Sequence, residues 1–366
     1  MRVLVLGAGS WGTTVASFVA NRHQTTLWAR DEATAKAVDT EHVNNRYLPG
    51  FALPPELRAT HDLEAAVGQA EMLIVGVPSH AFRATLRQSA QHIHPWIPVV
   101  SLSKGLEQGS LARMTQIIKD ELPGHPAATL TGPNIAKEIM AGQAAACVIA
   151  TEDLTVAKAI QRVLHQGLVR TYTNHDVIGC ELGGALKNVV AIACGMAQGL
   201  SVGDNTRAMV MTRGLAELTR LGVAMGGEAA TFAGLTGIGD LMATCISPHS
   251  RNRHVGEQLG MGRPLDEILA GMTMVAEGVK TAVTVHELAQ RYDCRCSAAG
   301  ARIVNRLSII AVSRFCRDGR CSAGNHRKTC QYSQQYFFQH AFHCGMIFIQ
   351  MEYSDRRHAT KRGQML

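Results

Sequence analysis

Lys187 lies in the run Leu182-Gly-Gly-Ala-Leu-Lys187-Asn188-Val-Val-Ala191, with Gly183 and Gly184 four and three residues before it and Ala191 four residues after. Side chains at those spacings share one face of a helix, so the face around Lys187 is bare of bulk. Burial strips an ammonium of water and lowers its pKa, which gives a group able to take or give a proton near neutral pH. A lysine snorkelling to the surface is the bland alternative, and the small neighbours fit either a ligand or close helix packing.

Three other places set polar groups among apolar or glycine-rich residues. Lys104, in Ser101-Leu-Ser-Lys104-Gly-Leu-Glu107, follows a buried strand, which puts it at the end of a sheet where ligands bind. In Thr131-Gly132-Pro-Asn134-Ile-Ala136-Lys-Glu138 a strand turns into a helix whose free N–H groups suit a phosphate. The third is Gly234-Leu-Thr-Gly-Ile-Gly-Asp240, followed by Ser250-Arg251-Asn252 and then Glu277-Gly278. Asp240 could orient a lysine ammonium or a hydroxyl, and the planar fork of Arg251 matches a phosphate. Each alone is more often a turn or a solvated charge, so their weight comes from occurring together.

Near the N-terminus, Gly7-Ala-Gly9-Ser10-Trp11-Gly12 follows an apolar strand and opens a helical pattern over 13–21. Strand before and helix after are the context that makes this G-x-G-x-x-G a dinucleotide fingerprint rather than a plain glycine turn. Gly7 permits the tight turn, Gly9 lets the backbone approach a pyrophosphate, and Gly12 allows close helix packing. The next strand runs into Arg30-Asp31. Arg30 suits a 2′-phosphate and favours NADP, Asp31 keeps NAD open, and Asp31 serves equally well as the N-cap of the following helix.

The elements that must hold these residues follow from apolar patterning. Runs at 2–6, 25–29, 72–77, 98–102, 127–130, 147–150 and 168–173 predict strands, several apolar at consecutive positions as in Met72-Leu-Ile-Val75. Strands covered on both faces read this way, so a parallel sheet with crossover helices is expected. From about Asp176 strands cease and helical stretches take over at 181–199, 205–221, 265–271 and 279–292. The fold class predicted is α/β: an N-terminal Rossmann-type parallel-sheet domain over 1–178, an all-helical domain over 179–293, and a ligand cleft between them.

Composition bounds the function. The 366 residues are 46% apolar and 18% charged, and the net charge of +7 is unevenly placed. Residues 1–293 hold 24 basic against 26 acidic side chains, whereas 294–366 hold 12 against 3. The basic tail shows no RNA- or DNA-binding signature, so no nucleic-acid partner is expected. No apolar run reaches the ~18 residues of a membrane span and no leader precedes Arg2, so membrane insertion is not expected and a cytoplasmic location is. Cys147, Cys180, Cys194 and Cys245 are scattered, as in a reduced protein, while Cys294, Cys296, Cys316, Cys321, Cys330 and Cys344 crowd the tail without the paired spacing of a zinc site, so no metal is expected.

Read together, GAGSWGT, NNRYLPG (44–50), VPSH (77–80), SKGLE, TGPNIAKE, GGALKNV, NTRA, GLTGIGDL, SRN and VAEG resemble the bacterial-type NAD(P)-dependent glycerol-3-phosphate dehydrogenases. The resemblance runs from Val3 to about Tyr292. It implies reversible hydride transfer between dihydroxyacetone phosphate and sn-glycerol 3-phosphate with NAD or NADP, a role supplying phospholipid synthesis, and a homodimer. Carried over by position, Lys187 matches the proton acceptor, assisted by Lys104 and Asp240. Gly7, Gly9, Ser10, Trp11, Gly12, Arg30, Lys104, Ala136, Arg251, Val275 and Glu277 match cofactor contacts. Lys104, Gly132, Asn134, Lys187, Asp240, Ser250, Arg251 and Asn252 match the substrate site. Asn134 departs from the Ser or Thr of many relatives, although an amide also donates and accepts. Another two-domain dehydrogenase acting on a hydroxy acid and a non-catalytic dinucleotide binder are the competing readings. The likeness fades near Asp293, and the tail over 294–366 reads either as a divergent or frame-shifted C-terminus or as an extension with its own role.

Overall fold

Alternate residues of the first strand face opposite layers: Val3 and Val5 pack with Val15, Val19, Ile160 and Val163, whereas Leu4 and Leu6 pack with Phe82, Leu86, Ile117 and Ile118. Both faces of the sheet are therefore covered by helices, which is why the strands read as unbroken apolar runs. The computed structural model describes residues 1–272 and 276–294. The strands are β1 (Arg2–Leu6), β2 (Gln24–Trp28), β3 (Arg58–Thr60), β4 (Met72–Val75), β5 (Val99–Ser101), β6 (Ala127–Thr131), β7 (Ala145–Ala150) and β8 (Val169–Asn174). They form one sheet in the order β3-β2-β1-β4-β5-β6-β7-β8. Strand order reverses between β1 and β4, and the carboxyl ends of the strands there open the crevice where such sheets bind ligands.

Two features depart from expectation. β7 runs antiparallel to β6, with Thr129 opposite Ala150 and Thr131 opposite Val148. The connecting helix Ala136–Met140 has five residues, about 7.5 Å of rise, too little to carry the chain back beside a strand of about 16 Å for a parallel pairing. β3 is a three-residue edge strand, Arg-Ala-Thr, whose polar residues leave no apolar run to read.

Helices α1 (Ser10–Ala20), α2 (Glu32–Lys36), α3 (Leu63–Val67), α4 (Ser79–Ser89), α5 (Met114–Glu121), α6 (Ala136–Met140) and α7 (Leu154–Leu164) link the strands. After β8 the described chain is helical: α8 (Val177–Gly199), α9 (Asp204–Ala224), α10 (Ala229–Phe232), α11 (Asp240–Ile246), α12 (Arg251–Gly260), α13 (Leu265–Ala270) and α14 (Glu277–Arg291). A π-helical turn at Leu235–Gly239 leads into α11. α8 is the axis of this half, packed by α9, α11, α12 and α14. Contrary to the reading that no segment is apolar enough, α8 has the length and composition to cross a bilayer, but 94% of its most apolar window is buried inside the protein. It is a core helix. Asp176 caps its start, accepting from the Gly179 amide at 2.7 Å.

Candidate active site

The fingerprint lies at the β1/β4 crevice. Gly7 has φ of 109°, and a Cβ there would stand 2.9 Å from the carbonyl of Gly76. Gly12 packs so closely that a Cβ would collide with the Gly7 carbonyl oxygen. No side chain caps α1 at Gly9, and the positive end of the helix dipole there favours an anion. Asn44, 1% exposed, braces the loop by donating to the Ala8 carbonyl at 2.9 Å and Thr13 Oγ1 at 2.8 Å. The Ser10 hydroxyl donates to the Tyr47 carbonyl at 2.8 Å. The buried indole Nε1 of Trp11 has no hydrogen-bond partner, an orphan donor of the kind a bound ligand satisfies. A glycine cradle, an uncapped helix start and this donor fit a dinucleotide. Arg30 is exposed at the end of β2, and Asp31 is the N-cap of α2, accepting from Thr34 N at 2.9 Å and Thr34 Oγ1 at 2.5 Å. Those bonds hold its carboxyl below the usual range.

Further along the same sheet edge, the ends of β5 and β6 meet α8 and α11. Lys104 Nζ donates to the Gly132 carbonyl at 2.8 Å, to Asn134 Oδ1 at 2.6 Å and to Asp240 Oδ2 at 2.8 Å. Gly132 turns its carbonyl inward with φ of 121°. Lys187 Nζ donates to the other carboxylate oxygen, Asp240 Oδ1, and to Thr244 Oγ1 at 2.5 Å. One buried carboxylate thus separates two ammoniums. Asp240 is 2% and Lys187 5% exposed. Burial pushes the Lys187 ammonium from 10.5 down to about 8; the attraction of Asp240 opposes this, and the neighbouring Lys104 charge adds to it. Asn134 Nδ2 and Thr131 Oγ1 are buried beside this cluster without hydrogen-bond partners.

The bare helix face around Lys187 serves packing. A Cβ on Gly184 would stand 2.6 Å from Thr131 Oγ1 and within 3.7 Å of the Lys104 stem, and one on Gly183 would meet the backbone of Thr236. The absence of side chains here lets α8 approach the sheet until both lysines reach Asp240.

A second layer joins this cluster to the starts of α12 and α14. Asn188 Nδ2 donates to the Lys104 carbonyl at 3.5 Å, and its Oδ1 accepts from Asn252 Nδ2 at 3.0 Å. Asn252 Oδ1 accepts from the Gly278 amide at 2.9 Å. Ser250 caps α12, accepting from Arg253 N at 3.2 Å, and Arg251 is exposed at its first residue. The Ser79 hydroxyl donates to Glu277 Oε2 at 2.9 Å, linking the β4 loop to α14. Lys104, Gly132, Asn134, Lys187 and Asp240 therefore share one hydrogen-bonded cluster, and Asn252 joins it through Asn188. Gly7, Gly9, Ser10, Trp11, Gly12 and Arg30 form the separate glycine-loop region, while Ala136 begins α6. Val275 and the tail over 295–366, with its cysteines beyond Cys294, lie outside the described residues. Thr244 and Asn188 were not among the expected site residues. Thr244 stands four residues after Asp240, on the same face once Asp240–Ile246 is known to be helical, but the glycine-rich run before it reads as a turn.

Family models match most of the chain: "NAD-dependent glycerol-3-phosphate dehydrogenase N-terminus" over residues 2–157 and the corresponding "C-terminus" over 176–308. That second match continues past Asp293, where the motif likeness fades. A glycerol-3-phosphate dehydrogenase (NAD(P)+) from Sphingopyxis alaskensis is 60% identical over 292 residues, 80% of this chain and 88% of the relative. One from Mycobacterium tuberculosis is 53% identical over 292 residues, 80% of this chain and 86% of the relative. Among solved structures, glycerol-3-phosphate dehydrogenase from Coxiella burnetii has a TM-score of 0.80 at 34% identity, covering 86% of this chain and 98% of that one.

Proposed function

Because the chain belongs to the NAD-dependent glycerol-3-phosphate dehydrogenase family, we propose that Lys187 carries the proton in this enzyme's reaction. The enzyme is an NAD(P)-dependent oxidoreductase interconverting sn-glycerol 3-phosphate and dihydroxyacetone phosphate. NAD or NADP, bound over the glycine cradle, supplies the nicotinamide that accepts or returns a hydride. In oxidation, neutral Lys187 takes the hydroxyl proton as the hydride leaves carbon 2, and Asp240 and Thr244 stabilise the ammonium that results. In reduction the same ammonium gives the proton back. Lys104 donates to the oxygen on which negative charge develops. Asn134 and Gly132 line the substrate's position, and Arg251 and Asn252, at the start of α12, hold a phosphate with Ser250.

The observation that carries this reading is the pair of lysines, Lys187 buried and Lys104 partly so, on one buried carboxylate, with an unpaired amide donor beside them. Purified protein assayed with dihydroxyacetone phosphate and NADH or NADPH tests it; no turnover with either cofactor would overturn it. A cytoplasmic location and a supply role for phospholipid synthesis complete the proposal, supported by the free cysteines, all five of which among the described residues carry no disulfide. We also propose a homodimer that binds neither nucleic acid nor membrane, since the charge of the body is nearly balanced.

A further inference from the structure

α8 carries two charged residues, Glu181 and Lys187, and both are buried. Nothing in the proton transfer uses Glu181. Its carboxylate nevertheless collects three donors from one short stretch of chain. Arg113 Nη1 donates to Oε2 at 2.6 Å, Thr115 N donates to Oε1 at 2.8 Å, and Thr115 Oγ1 donates to Oε2 at 2.6 Å. Arg113 is the N-cap of α5 and Thr115 lies in its first turn, so the carboxylate also meets the positive end of a helix dipole.

The stretch Arg113–Thr115 ends the same loop that Lys104 begins. Between them the loop is self-braced: Leu106 and Arg113 form an isolated bridge, and Glu107 N donates to the Ala112 carbonyl at 3.0 Å. Arg83 grips Glu107 with two bonds of 2.8 Å, and Leu106 packs among Leu182 and Leu186 of α8. A braced loop and a continuous helix both transmit position, so a tie at one end constrains the other. Glu181 precedes Lys187 by six residues, about 9 Å of helix.

We propose that Glu181 is a positioning residue for the reaction: by fastening α8 to the far end of the Lys104 loop, it sets Lys187 against Lys104 and Asp240. The inference rests on the reading of Lys187 as the proton-carrying group. A misplacement of ~1 Å at a reacting group costs on the order of 10²-fold in rate, so slackening this tie should be visible in kcat.

The test is Glu181→Gln in the full-length protein, with glycerol 3-phosphate oxidation followed across pH. The amide still accepts from Thr115, but its NH2 group faces the Arg113 guanidinium. The expected result is a kcat lower by about 10- to 100-fold with the KM for the dinucleotide unchanged within about twofold. The pH midpoint should move up from about 8 as Lys187 loses enclosure, because burial is the larger influence on it. The double variant Glu181→Gln/Arg113→Gln, in which two amides can pair, should recover most of kcat. A folded Glu181→Gln enzyme with wild-type kcat and midpoint would overturn the proposal. If that variant does not fold, Arg113→Gln replaces it: reduced kcat with a raised midpoint supports the proposal, and wild-type values for both overturn it. Lys187→Ala in the same assay separates the two readings, since its retaining turnover would refute the proton role of the lysine rather than the tie.

Discussion

Replacing Asp240 by asparagine removes one negative charge from between two ammoniums while keeping the shape of the side chain. Asp240 Oδ2 accepts from Lys104 at 2.8 Å and Oδ1 accepts from Lys187. The asparagine can accept from one lysine but must turn its NH2 group toward the other. Opposite charges at about 4 Å interact by on the order of 4 kcal/mol at an effective dielectric of 20, and one pKa unit corresponds to about 1.4 kcal/mol. That figure corresponds to a fall of about three units in the Lys187 pKa; a fall of at least about one unit is expected, since the amide dipole replaces part of the charge. With its ammonium no longer stabilised, Lys187 becomes a poor proton acceptor, and kcat for oxidation should drop by about 10²- to 10⁴-fold. The assay is cofactor absorbance at saturating glycerol 3-phosphate between about pH 6 and 10, alongside a thermal melt to establish folding. The residual activity should show its midpoint well below the wild-type value of about 8. A midpoint at or above the wild-type one, with kcat nearly unchanged, would refute the claim that Asp240 holds the two lysines.

In the wild-type enzyme, oxidation should gain about tenfold per pH unit below the Lys187 midpoint and level off above it, while reduction declines above it; parallel profiles in the two directions would contradict this. The same titration enters stability: the folded value of about 8 lies below the free-lysine 10.5, so the unfolded chain binds the extra proton between them. The contribution of Lys187 to stability therefore rises with pH over that window, which denaturant titrations of wild type and Lys187→Ala would measure. Gly12→Ala should abolish dinucleotide binding, monitored by cofactor fluorescence, and lower the melting temperature, because its Cβ would strike the Gly7 carbonyl.

Much of the architecture was legible because burial on both faces writes itself as consecutive apolar residues: β4 begins where its apolar run begins, and β1 one residue before its own. The direction of β7 was not, since an apolar run carries no sign and only the length of the intervening helix decides it. α11 and α12 escaped because Gly234–Gly239 and Ser250 read as turns, and with α11 went Thr244. Lys187 was legible through its small neighbours, but their purpose was not. Gly183 and Gly184 admit the backbone of Thr236 and the stem of Lys104 rather than leaving space for a ligand. Asp31 admitted two readings of equal standing, and its bonds to Thr34 make it a helix cap. The partnership of Glu181 with Arg113 and Thr115 spans more than 60 positions and follows from no local pattern.

The most direct test of the account is Lys187→Ala, assayed by single turnover with bound cofactor. Removal of the buried amine should eliminate hydride transfer in both directions while the affinity for NADH or NADPH, measured by fluorescence, stays near that of the wild type. Turnover close to the wild-type rate in the folded variant would contradict the assignment of the proton to Lys187.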